Sequence, residues 1–179
     1  MKKIFLAAIV FTVLSIPAMA QEKSFTKNFT FSVGPELGFA VGSFNDRYSV
    51  AIGGTAQAEY KILDKLNATA TVGVLAYTGK SVNIGGQKYK YPAQRIVPLR
   101  IGAKYYLVDK FYGAAQLGVA FLGNYYSTTA FAYSPIMLGY EFQVGAGKAF
   151  DATVKYDGYT GSGGVGTIGN FGIRVAYVF

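Results

Sequence analysis

The sequence predicts an all-β chain, an eight-stranded antiparallel up-and-down transmembrane β-barrel preceded by a cleaved signal peptide. Three observations predict it. The last ten residues alternate strictly, with Phe171, Ile173, Val175, Tyr177 and Phe179 on one face of an extended strand and Gly172, Arg174, Ala176 and Val178 on the other. The same two-residue period recurs in seven earlier segments, most of them long enough to cross a bilayer at a tilt of about 45°, which takes roughly 9–11 residues. The connections alternate between long polar loops and tight turns built around Asp. Past the first twenty residues no apolar run reaches helix-spanning length. A chain of this kind satisfies its backbone in hydrocarbon only by closing its sheet.

The leading segment is read first. Lys2 and Lys3 precede an apolar run from Ile4 to Ile16, and Pro17-Ala18-Met19-Ala20 ends in the small-x-small pattern of a signal-peptidase site. The run is too short for an anchor, which needs about 20 apolar residues, so cleavage after Ala20 is expected. The chain has no cysteine, which excludes a lipid-modified N-terminus and any disulfide framework. The expected organisation is a signal peptide at 1–20, a short periplasmic segment at 21–28 and a barrel at 29–179.

The first strand runs from Phe29 to Val41, with Phe29, Phe31, Val33, Pro35, Leu37, Phe39 and Val41 opposed to Thr30, Ser32, Gly34, Glu36, Gly38 and Ala40. Pro35 cannot donate to a ladder, so a bulge is expected near Gly34-Pro35. The second strand spans Val50 to Ile62, and a tight connection at Leu63-Asp64-Lys65 leads to a third from Leu66 to Tyr77. Thr78 to Ala93 reads as a long loop. The fourth strand, Gln94 to Tyr106, sets Val97, Leu99, Ile101, Ala103 and Tyr105 against Pro98, Arg100, Gly102 and Lys104. Val108-Asp109-Lys110 turns the chain into the fifth, Phe111 to Leu122. Gly123 to Ser134 reads as a loop, Pro135 to Gly147 as the sixth strand, Lys148 to Asp151 as a tight connection and Ala152 to Tyr159 as a shorter seventh strand. The glycine-rich stretch Thr160 to Gly169 delivers the chain to the closing strand. Phe29, Tyr60, Tyr105, Phe111 and Phe179 fall near the turn ends and Phe39, Tyr77, Phe121 and Phe171 near the loop ends, as two interfacial girdles require.

A secreted soluble barrel would bury the apolar face and present a polar face crowded with charge. Here the polar face carries about one charge per strand among many glycines, which suits a narrow lumen. After Ala20 there are 15 basic and 9 acidic residues, a net charge of +6. For an exported chain this points to an anionic membrane surface and not to nucleic acid.

The inward charges are expected to form a lumen network: Glu36, Arg100, Glu141, Lys155 and Arg174 with Gln116 near the middle, and Glu59, Lys61 and Lys104 toward the turn side. Buried charges must pair, and eight strands leave room only for side chains, so the network is expected to plug the barrel. A narrow channel for ions or small solutes is the alternative. With neither His nor Cys in the chain, the usual general base, nucleophile and transition-metal ligands are absent. No enzyme activity, cofactor or metal is therefore expected. The segment G-S-G-G-V-G-T-I-G at 161–169 lacks the Lys and the helix of a phosphate loop. In the long loops, Arg47, Lys80, Lys88, Lys90 and Arg95 are candidates for contact with lipopolysaccharide phosphates. Adhesion through Tyr89, Tyr91, Tyr125, Tyr126, Phe131 and Tyr133 is a further alternative.

The closing strand with its terminal Phe179, the signal peptide and the alternation of short turns with long loops resemble the small eight-stranded outer-membrane β-barrels, the group containing the OmpA transmembrane domain, OmpX and OmpW. The resemblance covers essentially the whole of 21–179. It implies residence in the outer membrane of a Gram-negative bacterium, with outer-membrane lipid and lipopolysaccharide as surroundings. It also implies recognition of Tyr177 and Phe179 by the barrel-assembly machinery as an insertion signal. An OmpA-like tether to the cell wall is not expected.

Overall fold

An alternating strand leaves rows of backbone donors and acceptors along both edges, and hydrocarbon offers them no partner. The chain meets this by closing its sheet. The computed structural model describes residues 28–123, 128–145, 147–161 and 167–179. The elements are β1 (Phe29–Val41), a 3-10 turn (Gly42–Asp46), β2 (Tyr48–Leu63), β3 (Leu66–Gly79), β4 (Ser81–Ile84), β5 (Gln87–Lys90), β6 (Gln94–Val108), β7 (Phe111–Gly123), β8 (Thr128–Gly145), β9 (Lys148–Gly161) and β10 (Thr167–Val178). Eight of these strands form a closed antiparallel barrel in the order β1-β10-β9-β8-β7-β6-β3-β2, and β4 with β5 forms a separate two-stranded ribbon. The seam between β1 and β10 is zipped to its end: Phe179 N–H donates to Phe31 O at 3.0 Å, and Phe31 N–H returns a bond to Phe179 O at 3.4 Å. The expected signal peptide and its cleavage site after Ala20 lie outside the described residues.

The barrel is inside out relative to a soluble protein. Ile52, Leu99, Ile101, Leu117, Ile136, Phe142, Val154 and Phe171 are exposed on its outer wall, while Glu36, Glu59, Arg100, Lys104, Asp151, Asp157 and Arg174 are buried within. Ordinary folding would bury the apolar set and solvate the charged one. An apolar solvent outside accounts for the arrangement.

Several sequence expectations change. The loop expected at Thr78 to Ala93 contains the β4–β5 hairpin. Ile84 pairs with Gln87, and the two residues between them, Gly85 and Gly86, have φ of 59° and 84°. Positive φ at both central positions is the requirement of a tight two-residue hairpin turn. Thr128–Ser134, expected in a loop, belongs to β8, and Lys148–Asp151, expected in a turn, belongs to β9. Tyr77, expected in the outer girdle, points into the lumen and is fully buried, because the inward face of β3 is the face of Thr69, Thr71 and Leu75.

No bulge occurs at Pro35. Val33↔Tyr177 and Glu36↔Arg174 keep one register across it. The β1–β2 ladder likewise runs without interruption from Phe29↔Tyr60 to Phe39↔Val50. A bulge lies instead at another strand proline, Pro135. There the register of β8 shifts by one residue against β7, between Gln116↔Ser134 and Ala114↔Met137. It shifts against β9 as well, between Tyr133↔Gly158 and Ile136↔Tyr156. Pro135 and Ile136 both face outward, so Ser134 before the bulge and Met137 after it both face in. Deleting Pro135 should regularise both ladders and leave the barrel able to refold with heat-modifiable migration on gels. Deleting Leu138, which would turn every later inward side chain of β8 to the lipid, should abolish that shift.

Candidate functional site: the lumen and the extracellular rim

The lumen is filled in layers. On the long-loop side an apolar layer gathers Ala40, Ala51, Leu75, Tyr77, Ile96, Leu122, Tyr159 and Ile168. Phe44, carried on the 3-10 turn, folds over this layer and meets Tyr77 edge-on with ring centroids 5.1 Å apart and Tyr48 at 4.6 Å. Short-turn ends of β2, β3, β6 and β7 lie opposite, so this layer sits at the long-loop mouth of the barrel.

Beneath it lies a first charged layer. Arg100 Nη1 donates to Asp157 Oδ1 and Ser134 Oγ, each at 2.6 Å. Lys155 Nζ lies 2.8 Å from Glu36 Oε1 and 3.4 Å from Asp157 Oδ2. Burial leaves these ions no solvent, so each depends on the others. The partner of Arg100 is thus Asp157, a residue absent from the expected network. Its place in the alternation of β9, two positions after Lys155, is the signal that marks it.

A neutral belt follows, in which Gln116 Nε2 donates to Thr69 Oγ1 and Thr71 Oγ1 at 2.9 Å, and Thr71 Oγ1 donates to Gln57 Oε1 at 2.9 Å. Arg174 crosses this level, donating from Nε to Thr55 Oγ1 at 2.7 Å and from Nη2 to Ser32 Oγ at 2.9 Å. Its Nη1 is 3.8 Å from Asp151 Oδ1.

The level on the short-turn side is a knot around one ammonium. Lys104 Nζ is 2.9 Å from Glu59 Oε1, 2.5 Å from Glu141 Oε1 and 3.3 Å from Asp151 Oδ2. It also lies 3.9 Å from the centroid of the Tyr112 ring. Tyr112 donates to Asp151 at 2.8 Å and Tyr106 to Glu141 Oε1 at 2.7 Å. Oxygens of Glu59, Glu141 and Asp151 lie within 4.8 Å of one another, a spacing that could hold a metal ion, but the Lys104 ammonium stands among them.

Of the residues expected in the network, Glu36, Lys155 and Arg100 meet in the upper layer and Glu59, Lys104 and Glu141 in the lower, with Arg174 between. Glu141 is therefore not level with Arg100, because the stagger of a closed barrel offsets strands that look aligned when counted from their ends. Lys61 is outside the lumen: its side chain is half exposed and pairs with Asp64 at 2.9 Å. Proximity to Lys61 holds the exposed Asp64 carboxyl below its usual range. Asp151, expected in a turn, serves both Lys104 and Arg174.

Two inward glycines are covered by neighbouring side chains. The Tyr112 ring lies across Gly139, where a Cβ would come within 2.2 Å of it, and the Lys155 side chain covers Gly172, 3.0 Å from where a Cβ would stand.

At the rim, Lys80 Nζ donates to Asn45 O at 2.5 Å and Asn45 Oδ1 at 2.8 Å, tying the ribbon to the 3-10 turn. The Arg47 guanidinium sits 5.9 Å from the Tyr91 ring centroid. Arg47, Lys88, Lys90, Arg95 and Tyr89 are exposed, as is Phe131 on the outer wall, whereas Tyr91 and Tyr133 are half-buried. Tyr125 and Tyr126 lie outside the described residues.

A closed eight-stranded antiparallel barrel with an apolar wall and a polar packed lumen is the fold of the small outer-membrane β-barrels. No protein-family model matches the sequence, and no curated protein matches it. Solved structures do. The chain is similar to Neisserial surface protein A, at 15% identity over 84% of this chain and 95% of that one with a TM-score of 0.56. It is similar to Ail, the attachment invasion locus protein of Yersinia pestis, at 12% identity over 86% of this chain and 100% of that one with a TM-score of 0.54. A second Ail structure, in complex with the heparin analogue sucrose octasulfate, matches with a TM-score of 0.51 at 12% identity over 85% and 98%. At such identities the fold is what is shared.

Proposed function

We propose that the chain is an outer-membrane β-barrel of a Gram-negative bacterium with a structural or surface-interaction role, and that its lumen does not conduct. The observation that carries this reading is the pair of closed layers in series: the apolar plug under Phe44, and the knot in which Glu59, Glu141, Asp151 and Tyr112 surround the Lys104 ammonium. A narrow porin-like channel needs a continuous wet path, which both layers interrupt. Proteoliposomes carrying the refolded chain should resist swelling in small sugars and amino acids as empty vesicles do. Swelling that scales inversely with solute size would favour the channel.

The surface role falls to the rim. Lys80 is spent on Asn45, which leaves Arg47, Lys88, Lys90 and Arg95 exposed. We propose that these cations contact lipopolysaccharide phosphates. Ail in complex with a heparin analogue shows a polyanion held by another barrel of this fold; for this chain the reading rests on its own cations. Lys88→Glu with Lys90→Glu should lower lipopolysaccharide binding by the refolded barrel several-fold at low salt, with the gap narrowing as salt rises. Equal binding at every salt concentration would return the role to the loop aromatics as an adhesin surface.

Tyr177 and Phe179 are proposed as the signal read by the barrel-assembly machinery. Their rings stack at 6.1 Å on the outer wall, where they are open to a partner before lipid covers them. Phe179→Ala should reduce assembled barrel in cells while leaving refolding in detergent unchanged. A parallel loss in both would make Phe179 a stability residue only.

A further inference from the structure

The three short turns share one construction. In each, the strand entering the turn carries one residue more than its partner: Ile62 between Lys61↔Asn67 and Leu63↔Leu66, Leu107 between Tyr106↔Tyr112 and Val108↔Phe111, and Val144 between Gln143↔Ala149 and Gly145↔Lys148. Each extra residue is aliphatic, exposed and two positions beyond an exposed aromatic of the wall, Tyr60, Tyr105 or Phe142. A lysine follows each of them: Lys65, Lys110 and Lys148. We infer that these turns bind anionic phospholipid headgroups, with the lysines on phosphate and the aliphatic residues among the adjoining acyl chains. The inference rests on the membrane-barrel reading and names the lipid class met by its short-turn side.

A bulge needs an extra residue and makes no demand on its side chain. Aliphatic residues at all three positions prolong the apolar wall past its aromatics, which is favourable only where lipid covers them. Lysine suits the next level, because its methylene stem runs along apolar surface while its ammonium reaches the polar boundary. The charge balance fits an anion. On these turns Lys61 is paired with Asp64 at 2.9 Å, which leaves Lys65, Lys110 and Lys148 against Asp109. None of those three lysines has an ion-pair partner among the described residues. The backbone fixes their places: Tyr106 N–H donates to Lys65 O at 2.8 Å and Glu141 N–H to Lys110 O at 3.1 Å. Lys65 precedes β3, Lys110 precedes β7 and Lys148 opens β9, alternate strands in the order β3-β6-β7-β8-β9. The usual strand spacing sets them about 10 Å apart, so each hairpin can hold its own headgroup. A protein partner would approach the end of the barrel, whereas Ile62, Leu107 and Val144 continue its lipid-facing side.

The chain has no cysteine, so Gln143→Cys accepts a single fluorophore on the short-turn side. The refolded, labelled barrel is placed in phosphatidylcholine vesicles holding a small fraction of nitroxide-labelled phosphatidylglycerol or, in parallel, nitroxide-labelled phosphatidylcholine. Nitroxide quenching is short-ranged, so the long-loop cations across the bilayer do not contribute. Phosphatidylglycerol should quench several-fold more than phosphatidylcholine. The ratio should fall toward one as salt rises, and also when Lys65→Gln, Lys110→Gln and Lys148→Gln are combined. Equal quenching by the two lipids in an inserted barrel would overturn the inference and leave the membrane barrel standing. A preference that survives the triple variant would overturn it too, by placing the anion site elsewhere. The salt series needs no lysine variant, and a ratio indifferent to salt would likewise overturn the inference. A chain that does not enter vesicles, with no heat-modifiable migration, would refute the membrane barrel itself.

Discussion

Lys104→Met is expected to cost the barrel about 3–5 kcal/mol, the range for removing one partner of a buried ion pair. Methionine keeps the length and most of the volume of the side chain, so the loss is electrostatic. Three carboxylates, Glu59, Glu141 and Asp151, would face one another with no ammonium among them. Tyr112 would lose the cation lying over its ring. Urea unfolding of the refolded barrel in lipid vesicles measures the effect. A control separates charge from packing: adding Glu59→Gln, Glu141→Gln and Asp151→Asn to Lys104→Met should recover most of the loss, since neutral groups of the same shape leave no unpaired charge. Glu59→Gln alone should cost only about 1 kcal/mol, because Lys104 keeps two carboxylates.

Arg100→Met is expected to be the second largest loss, about 3 kcal/mol and so at the low end of the same range. Asp157 would retain Lys155 at 3.4 Å and the Ser134 hydroxyl, so it would not be wholly abandoned. Asp157→Asn in the Arg100→Met background should restore stability, and the double-mutant cycle should show strong coupling between the two positions. Independent, additive losses would mean that the pair at 2.6 Å contributes nothing specific.

These two predictions also mark what alternation alone reveals. A period of two decides which way a side chain points. It therefore assigned the inward sides of β1, β6, β7 and β10 with Glu36, Arg100, Lys104, Gln116 and Arg174 on them. It does not decide who faces whom across the bore, because that depends on the stagger of the closed sheet. Alternation alone consequently puts Glu141 a layer too high and does not mark Asp157 as the partner of Arg100. Boundaries decided two further errors. A β9 pattern starting at Ala152 leaves Asp151 in a turn, and height alone puts Tyr77 in the girdle although its phase turns it inward. The proline rule does not say which proline bulges: Pro35 faces outward in an unbroken register, while Pro135 sits where two outward residues adjoin. Gly85-Gly86 between two short β-prone runs was a legible hairpin signal, masked by the polar character of the surrounding loop.

The central claim is that the lumen is closed to ions, and single-barrel current recording in planar bilayers tests it most directly. The account predicts that insertion of the refolded chain leaves the membrane at its baseline current over the working voltage range, with Glu141→Gln behaving alike. Steady ion-selective steps in the wild-type chain, abolished by Glu141→Gln, would contradict it.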